Sequence, residues 1–402
     1  MGIKKINIAI FVSSKMESGG GHQYEYMVLN ILKKYHKNSS VVLKIYGFNV
    51  ETQKIFSDLD INITIIKENI FQKKHRISLS NSFFNKFFSK IKMNFCSIER
   101  KLVNDKIDLV YFLSPSSISQ ALNNIPYIFT LWDLGHLEEL EFPELTNDRI
   151  FESREHMYTK SLKKAFKVIV DSAYSKKYTI NKYNLDEKRI EILKFLPNIR
   201  VADNEEFIDI KNIYNIKNDY VFYPAQFWAH KNHMYILKAI KILREKKNID
   251  VDVIFSGSNR GNLEYIINKA KQFGVGDLIH YVGFVPDSQI PFLYKQSLSL
   301  VMPTYLGPTN IPPLEAFFYK SPVCYSDKPS FREQVGDAVF YMNLKDPNSL
   351  VENIITIKSN KELVDYKVQK GLEILSFWSD EDFYRSLETI FGEYQYIRDG
   401  WE

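Results

Sequence analysis

Short apolar runs rich in β-branched and aromatic residues alternate with longer amphipathic stretches along the whole chain, and this alternation constrains the fold most tightly. The candidate strands of the first half are Ile6 to Ser13, Val41 to Phe48, Ile61 to Ile66, Leu109 to Leu113, Tyr127 to Thr130, Val168 to Asp171 and Ile190 to Leu193. Helical stretches such as Glu25 to Tyr35 and Ile150 to Lys164 lie between them. After a polar stretch from Arg200 to Asp209, which reads as a linker, a second series begins. Its strands are Tyr220 to Pro224, Val251 to Ser256, Ile279 to Val282, Leu298 to Met302, Val323 to Ser326 and Val339 to Met342. Strands spaced by helices of this length predict parallel, doubly wound sheets. A chain of 402 residues is too long for one ordinary core, so two similar α/β halves are expected. The segment Phe377 to Tyr394 reads as a final helix.

Composition narrows the class. With 45% hydrophobic and 25% charged residues the chain is globular, and a net charge of +5 is mild for its size. No Lys/Arg block suggests a nucleic-acid arm. The two cysteines, Cys96 and Cys324, support neither a disulfide framework nor a multi-cysteine zinc site, so a reducing cytoplasm is the expected location. The basic start followed by Ile6 to Val12 reads as a first strand rather than a signal segment. No apolar run reaches the roughly 18 residues of a transmembrane helix.

Leu306 to Ala316 joins a kinked, proline-containing loop to a carboxylate, Glu315, entering a helix. Placed after a strand, it occupies the edge of the sheet where open α/β folds bind ligands. Amides at such a helix start suit an anion, and Glu315 offers an acceptor for hydroxyls. A rigid turn with a solvated glutamate is the other reading. Ser18-Gly19-Gly20-Gly21-His22 follows the first strand and reads as a phosphate-cradling loop or a bare tight turn. In Thr130 to His136, Asp133 and His136 offer a hydroxyl-orienting pair, or a helix cap and a loop histidine. Lys231, in the stretch Tyr223 to His233, offers a point charge for phosphate. His230 and His233 lack the further ligands a metal needs. The D-x-D sequences Asp58 to Asp60 and Asp250 to Asp252 precede strands, where acidic turn residues are ordinary. Finally, Ser82 to Phe95 would as a helix align Phe84, Phe87, Phe88, Ile91 and Phe95 with lysines flanking. Such a face suits either an anionic bilayer surface or a domain core.

Taken in order, these motifs resemble the retaining nucleotide-sugar glycosyltransferases of family 4. The most specific part is Pro312-Pro313-Leu314-Glu315-Ala316 with Ser321-Pro322-Val323 after it and Tyr281-Val282-Gly283-Phe284-Val285 before it. The resemblance implies the GT-B fold, two Rossmann-like doubly wound domains facing a cleft. It implies an acceptor-side domain over residues 1–200, a nucleotide-sugar domain over 201–376, and a C-terminal helix within 377–402 packing back on the first.

Carried over by position, Glu315 resembles the carboxylate that binds donor ribose and Lys231 the diphosphate lysine. Thr309, Asn310 and Ile311 fall where backbone amides meet the distal phosphate, and Phe284 and Val285 fall beside the base. Gly20 and Gly21 match the first-domain loop near the diphosphate, and His136, with Asp133, matches the active-site histidine loop. Trp132 stands where many relatives place that histidine. Gln226 replaces the arginine of an R-x4-K pair at the donor site, and Gly307 replaces the first glutamate of an E-x7-E pair.

The resemblance therefore implies transfer of a hexose or deoxyhexose from a nucleoside diphosphate sugar to a hydroxyl of a growing glycan, lipid-linked or surface-bound. The reaction retains configuration without a metal or other cofactor, in the cytoplasm or peripherally at the inner face of the membrane. A GT-B epimerase or phosphorylase, or a catalytically impaired sugar-nucleotide-binding subunit, is the alternative.

Overall fold

The computed structural model describes residues 5–12, 20–37, 40–48, 50–56, 59–79, 96–197, 199 and 207–401. The chain forms two compact units. Met1–Leu134, Arg149–Lys194 and Asp380–Glu402 make the first; Gly135–Asp148 and Phe195–Ser379 make the second.

In the first unit the described strands are β1 (Ile6–Phe11), β2 (Val41–Gly47), β3 (Ile63–Ile65), β4 (Leu109–Phe112), β5 (Tyr127–Thr130), β6 (Lys167–Val170) and β7 (Ile190–Ile192). They pair in parallel in the order β3-β2-β1-β4-β5-β6-β7, with Ile8 opposite both Leu43 and Leu109. Every residue of β4, β5 and β6 is buried, as expected of parallel strands covered by helices on both faces. The helix Gly20–Tyr35 follows β1 and buries Tyr24, Met27, Val28, Ile31 and Leu32 at helical spacing.

The last helix, Asp380–Arg398, belongs to this unit. The Tyr394 hydroxyl donates to the Asp108 carbonyl at 2.6 Å, and the Phe391 ring meets Tyr111 edge-on. This helix starts three residues later than its sequence pattern suggests. A separate helix, Lys361–Ser376, precedes it in the second unit, and Asp380, Glu381 and Asp382 place negative charge on the new first turn.

The second unit contains β8 (Tyr220–Pro224), β9 (Asp252–Ser256), β10 (Ile279–Gly283), β11 (Ser299–Met302), β12 (Val323–Ser326) and β13 (Phe340–Met342), all parallel, in the order β10-β9-β8-β11-β12-β13. Both units are thus Rossmann-like α/β sheets. Each sheet reverses its direction of growth once, between β1 and β4 in the first and between β8 and β11 in the second. Loops leaving the carboxyl ends of such a strand pair diverge to opposite faces and leave a crevice, the preferred ligand position in this architecture.

One segment departs from a simple division near residue 200. Gly135–Asp148, which leaves β5, groups with the second unit. The reason lies in side chains: Glu139 meets Lys328, Phe142 meets Tyr305, and Glu144 meets His230.

The acidic pair Asp250 and Asp252 is structural. Asp250 binds Arg244, while buried Asp252 accepts from the His280 ring at 2.7 Å and from the Asn218 amide at 2.8 Å. Asp58, Ser18, Gly19 and the segment Ser82 to Phe95 lie outside the described residues, as does most of the linker. No helix among the described residues is long and apolar enough to cross a membrane.

Candidate functional site

The crevice of the second unit gathers the residues the sequence singles out there. Lys231 lies in the short turn after β8, and Gly307 to Asn310 lie in the loop after β11, so both sit at the strand pair where the sheet reverses. The two loops are joined backbone to backbone, because the Tyr305 amide donates to the His230 carbonyl at 2.9 Å. Next along the chain, the Lys231 carbonyl accepts from the Tyr223 hydroxyl at 2.9 Å, and Asn232 takes a left-handed conformation at φ 57°. The Lys231 backbone is therefore fixed from both sides.

Glu315 sits in the helix Ile311–Phe318, is 7% exposed, and accepts from the Tyr294 hydroxyl at 2.8 Å. Burial, reinforced by Glu315, raises the Tyr294 pKa well above its ordinary value, so that hydroxyl remains a donor. Tyr294 thereby orients the Glu315 carboxylate, a group that only accepts hydrogen bonds and so matches the hydroxyls of a sugar in kind.

The start of this helix is narrower as an anion site than its sequence suggests. Asn310 is the N-cap, and Pro312 and Pro313 in the first turn carry no N–H. The Asn310 amide donates to Gln334 Oε1 at 3.1 Å, Gln334 Nε2 donates back to the Asn310 carbonyl at 2.6 Å, and Asn310 Nδ2 donates to the Tyr325 hydroxyl at 2.6 Å. The Asn310 amide expected to face phosphate is thus already engaged within the protein. Among the first-turn amides, that leaves Ile311 as the N–H directed outward along the helix axis. Gln334 and Tyr325 are residues the sequence reading missed. A glutamine twenty-four positions away carries no local signal.

Gly307 is glycine for two physical reasons. Its φ is +103°, and a Cβ there would meet the Asn310 carboxamide at 2.9 Å and the Thr309 carbonyl at 3.1 Å. A glutamate at this position would require a different loop. Gln226 is also locally engaged: its amide donates to Ser258 Oγ at 3.0 Å and its oxygen accepts from the Trp228 indole at 3.0 Å. Arg260, which sequence reading also missed, holds its guanidinium 5.6 Å from the Trp228 ring, so a cation does stand beside this loop.

Phe284 is 76% exposed after β10, whereas Val285 is buried. An apolar ring left in water at the carboxyl end of this edge strand suits stacking on a flat ligand. His233 is not a ligand candidate. It is fully buried, stacked on Phe227 at 4.2 Å, and burial, followed by the Lys231 charge, pushes its pKa down to about 3.

In the first unit the structure gives the expected residues different surroundings. A Cβ on Gly21 would run into the Trp132 ring, while Gly20 faces open space. Packing against Trp132 alone accounts for glycine at position 21. Asp133 accepts from Arg154 at 2.6 Å, and the Arg154 pKa is raised by this carboxylate despite the opposing effect of burial. Asp133 is therefore oriented by an arginine. His136 is buried on the single-turn helix Gly135–Glu138, in the segment that groups with the second unit. Glu25, a buried carboxylate on the helix after β1, accepts from Ser114 at the end of β4. Its one legible signal was a charge on the apolar face of that helix. Among the described residues no group of three or more His, Cys, Asp or Glu side chains is placed to hold a metal ion.

Residues 204–372 match the family model for glycosyl transferases group 1. The O-antigen chain mannosyltransferase RfbU of Salmonella typhimurium is 25% identical over 190 residues, covering 46% of this chain and 49% of that protein. The aligned part thus spans about half the length of the relative. Among solved structures, a glycosyltransferase from Rickettsia africae superposes with a TM-score of 0.70 at 15% identity, covering 97% of this chain and 98% of the other. The Anabaena protein HepE, crystallised with UDP, gives 0.70 at 14%, covering 96% and 100%. At such identities the likeness establishes the fold, which is GT-B.

Proposed function

We propose that the chain, whose residues 204–372 match the family model for glycosyl transferases group 1, transfers a hexose or deoxyhexose from a nucleoside diphosphate sugar to a hydroxyl of a growing polysaccharide, with retention of configuration. One observation carries this reading: Lys231, the Ile311 helix start and Glu315 are brought together at the strand reversal between β8 and β11. A cation and a helix N-terminus suit a diphosphate, and a buried, oriented carboxylate suits vicinal hydroxyls. The O-antigen role of RfbU and the UDP bound by HepE support the substrate classes.

As the sugar leaves, negative charge builds on the diphosphate. Lys231 stabilises it, and the helix start adds its dipole, so the charge is met without a metal ion. Glu315 holds the ribose. In this reading Asp133 and His136 belong to the acceptor side of the reaction, Gly20 and Gly21 approach the donor diphosphate, and Phe284 and Val285 flank the base. The acceptor is a lipid-linked or surface glycan, met at the inner face of the membrane.

The test is turnover of a panel of nucleoside diphosphate sugars with and without glycan acceptors, with and without EDTA, reading released nucleotide and the anomeric proton of the product. Acceptor-dependent release with an unchanged anomer, insensitive to EDTA, is expected. Release that needs no acceptor would instead indicate an epimerase or hydrolase. Binding without turnover would favour the second reading, an impaired sugar-nucleotide-binding subunit, for which Gly307 and Gln226 are the specific motive. Liposome co-sedimentation of the intact chain, and of a Phe84, Phe87 and Phe88 triple serine variant, checks the membrane contact.

A further inference from the structure

Three contacts within the second unit converge from the segment Gly135–Asp148 onto the two loops of the crevice. Glu144 Oε1 accepts from the His230 backbone amide at 2.8 Å and stands 2.6 Å from His230 Nδ1. Both side chains are nearly closed off from water, at 8% and 12% exposure. Phe142 packs its ring against Tyr305 at 5.2 Å and against His230 at 6.2 Å. Glu139 binds Lys328, whose ammonium also donates to the Tyr305 carbonyl at 2.6 Å.

His230 is the residue before Lys231, and Tyr305 is two residues before Gly307. The segment thus grips one residue on each loop, at the point where the Tyr305 amide already binds the His230 carbonyl. A two-point hold on a single histidine fixes both its peptide plane and its ring. In a site shielded from water such charge-assisted bonds are strong, and the second bond adds direction to the first. Burial opposes the charge on Glu144, but the His230 bonds outweigh it and hold this carboxyl below its ordinary pKa, so it is a carboxylate at neutral pH.

We propose that Glu144 is a positioning residue for donor binding: acting through His230, it sets the backbone that carries Lys231 and ties that loop to the Tyr305 loop. This rests on the assignment of Lys231 to the donor diphosphate. Glu144 itself lies in none of the motifs described above, is far from the crevice loops in sequence, and acts only through the groups it holds. The arrangement links the geometry of the crevice to a segment that leaves β5, the strand whose end also carries Trp132 and Asp133.

The experiment compares Glu144→Ala, Glu144→Gln and Lys231→Ala in the full chain. Donor KM, kcat and the affinities for UDP and GDP are read by titration, with melting temperature measured alongside. Glutamine keeps an acceptor oxygen for both His230 donors, whereas alanine keeps none. The expected result is a donor KM raised about tenfold or more in Glu144→Ala, with kcat changed by a smaller factor, and recovery to within about threefold in Glu144→Gln. A general packing role would lower the melting temperature of both variants without separating KM from kcat. Lys231→Ala impaired with Glu144→Ala normal overturns the positioning role and leaves the donor site standing. If Lys231→Ala binds and turns over normally, the donor assignment falls and the positioning role falls with it. Should Glu144→Ala fail to fold, Glu144→Gln and His230→Ala decide: equal KM values in His230→Ala and the unaltered protein also overturn the proposal.

Discussion

The two strand reversals of this molecule are built from the same topology and filled in different ways. Between β8 and β11 the loops are tied by main-chain and side-chain hydrogen bonds: Tyr305 to His230, Tyr223 to Lys231, and Gln334 to both sides of Asn310. Beside β1 and β4 the described contacts run through side chains: the Ser114 hydroxyl donates to buried Glu25, and the Trp132 ring, from the loop after β5, lies over Gly21. The family match follows this division, since residues 204–372 lie wholly in the second unit. A site for a constant chemical group needs a backbone held in one shape.

The largest effect expected from this contrast is at Lys231. Its replacement by alanine should lower turnover by about 100- to 1,000-fold, the scale of one preorganised charge contact to a leaving group. Steady-state rates on the preferred donor check it, and a loss under threefold would break the claim that the second crevice carries the electrostatics. Gly307→Ala comes next. A side chain at φ +103° that also meets Asn310 and Thr309 should cost about 2 kcal/mol of stability, and donor affinity should fall with it. Denaturant unfolding read beside UDP and GDP titration tests both. If the variant were as stable as the parent, the rigid-loop account of the second crevice would lose its main support.

Gly21→Ala probes the opposite crevice. The added methyl collides with the Trp132 ring, and overpacking of this kind costs about 1–2 kcal/mol. Because the obstacle is one partly exposed side chain, Gly21→Ala combined with Trp132→Leu should recover most of that stability. No such single partner exists for Gly307, where a backbone carbonyl is among the obstacles. Failure of the double variant to recover would show that Gly21 serves something other than packing.

The thirteen described strands were legible in the sequence to within about two residues at their ends, for a physical reason. Parallel strands covered on both faces require nearly continuous apolar runs, such as Leu109 to Leu113 and Val323 to Tyr325, and few other structures do. The placements of Lys231, Gly307 and Glu315 were legible because local chain pattern dictates them: a turn after a strand, a loop glycine at positive φ, a helix start. Glu144, Gln334 and Arg260 were not, since each acts on residues distant in sequence and none sits in a local pattern. The grouping of Gly135–Asp148 with the second unit was hidden for the same reason. Its apolar and acidic residues read as an ordinary connection until their partners, Lys328, Tyr305 and His230, are placed beside them.

The smallest expected effect separates stability from function within the second unit itself. Asp252 begins β9, at the end of the sheet opposite the crevice, and is buried with His280 and the Asn218 amide as partners. Burial raises its pKa, but the His280 and Asn218 bonds prevail, and the carboxyl lies below its ordinary value. A carboxylate depressed in the folded state stabilises the fold above its unfolded pKa of about 3.9 and loses that contribution as pH falls through the folded value. Asp252→Asn should therefore cost about 1 kcal/mol at pH 7, the scale of one net intramolecular hydrogen bond, and the two proteins should converge in melting temperature as pH falls through the folded value of this carboxyl. Donor KM should not move. Asp252 does not touch the loops at the carboxyl end of the sheet to which donor binding is assigned, so a shift in KM as large as that expected for Glu144→Ala would mean that the crevice responds to the stability of the whole unit and not to the particular bonds on its loops.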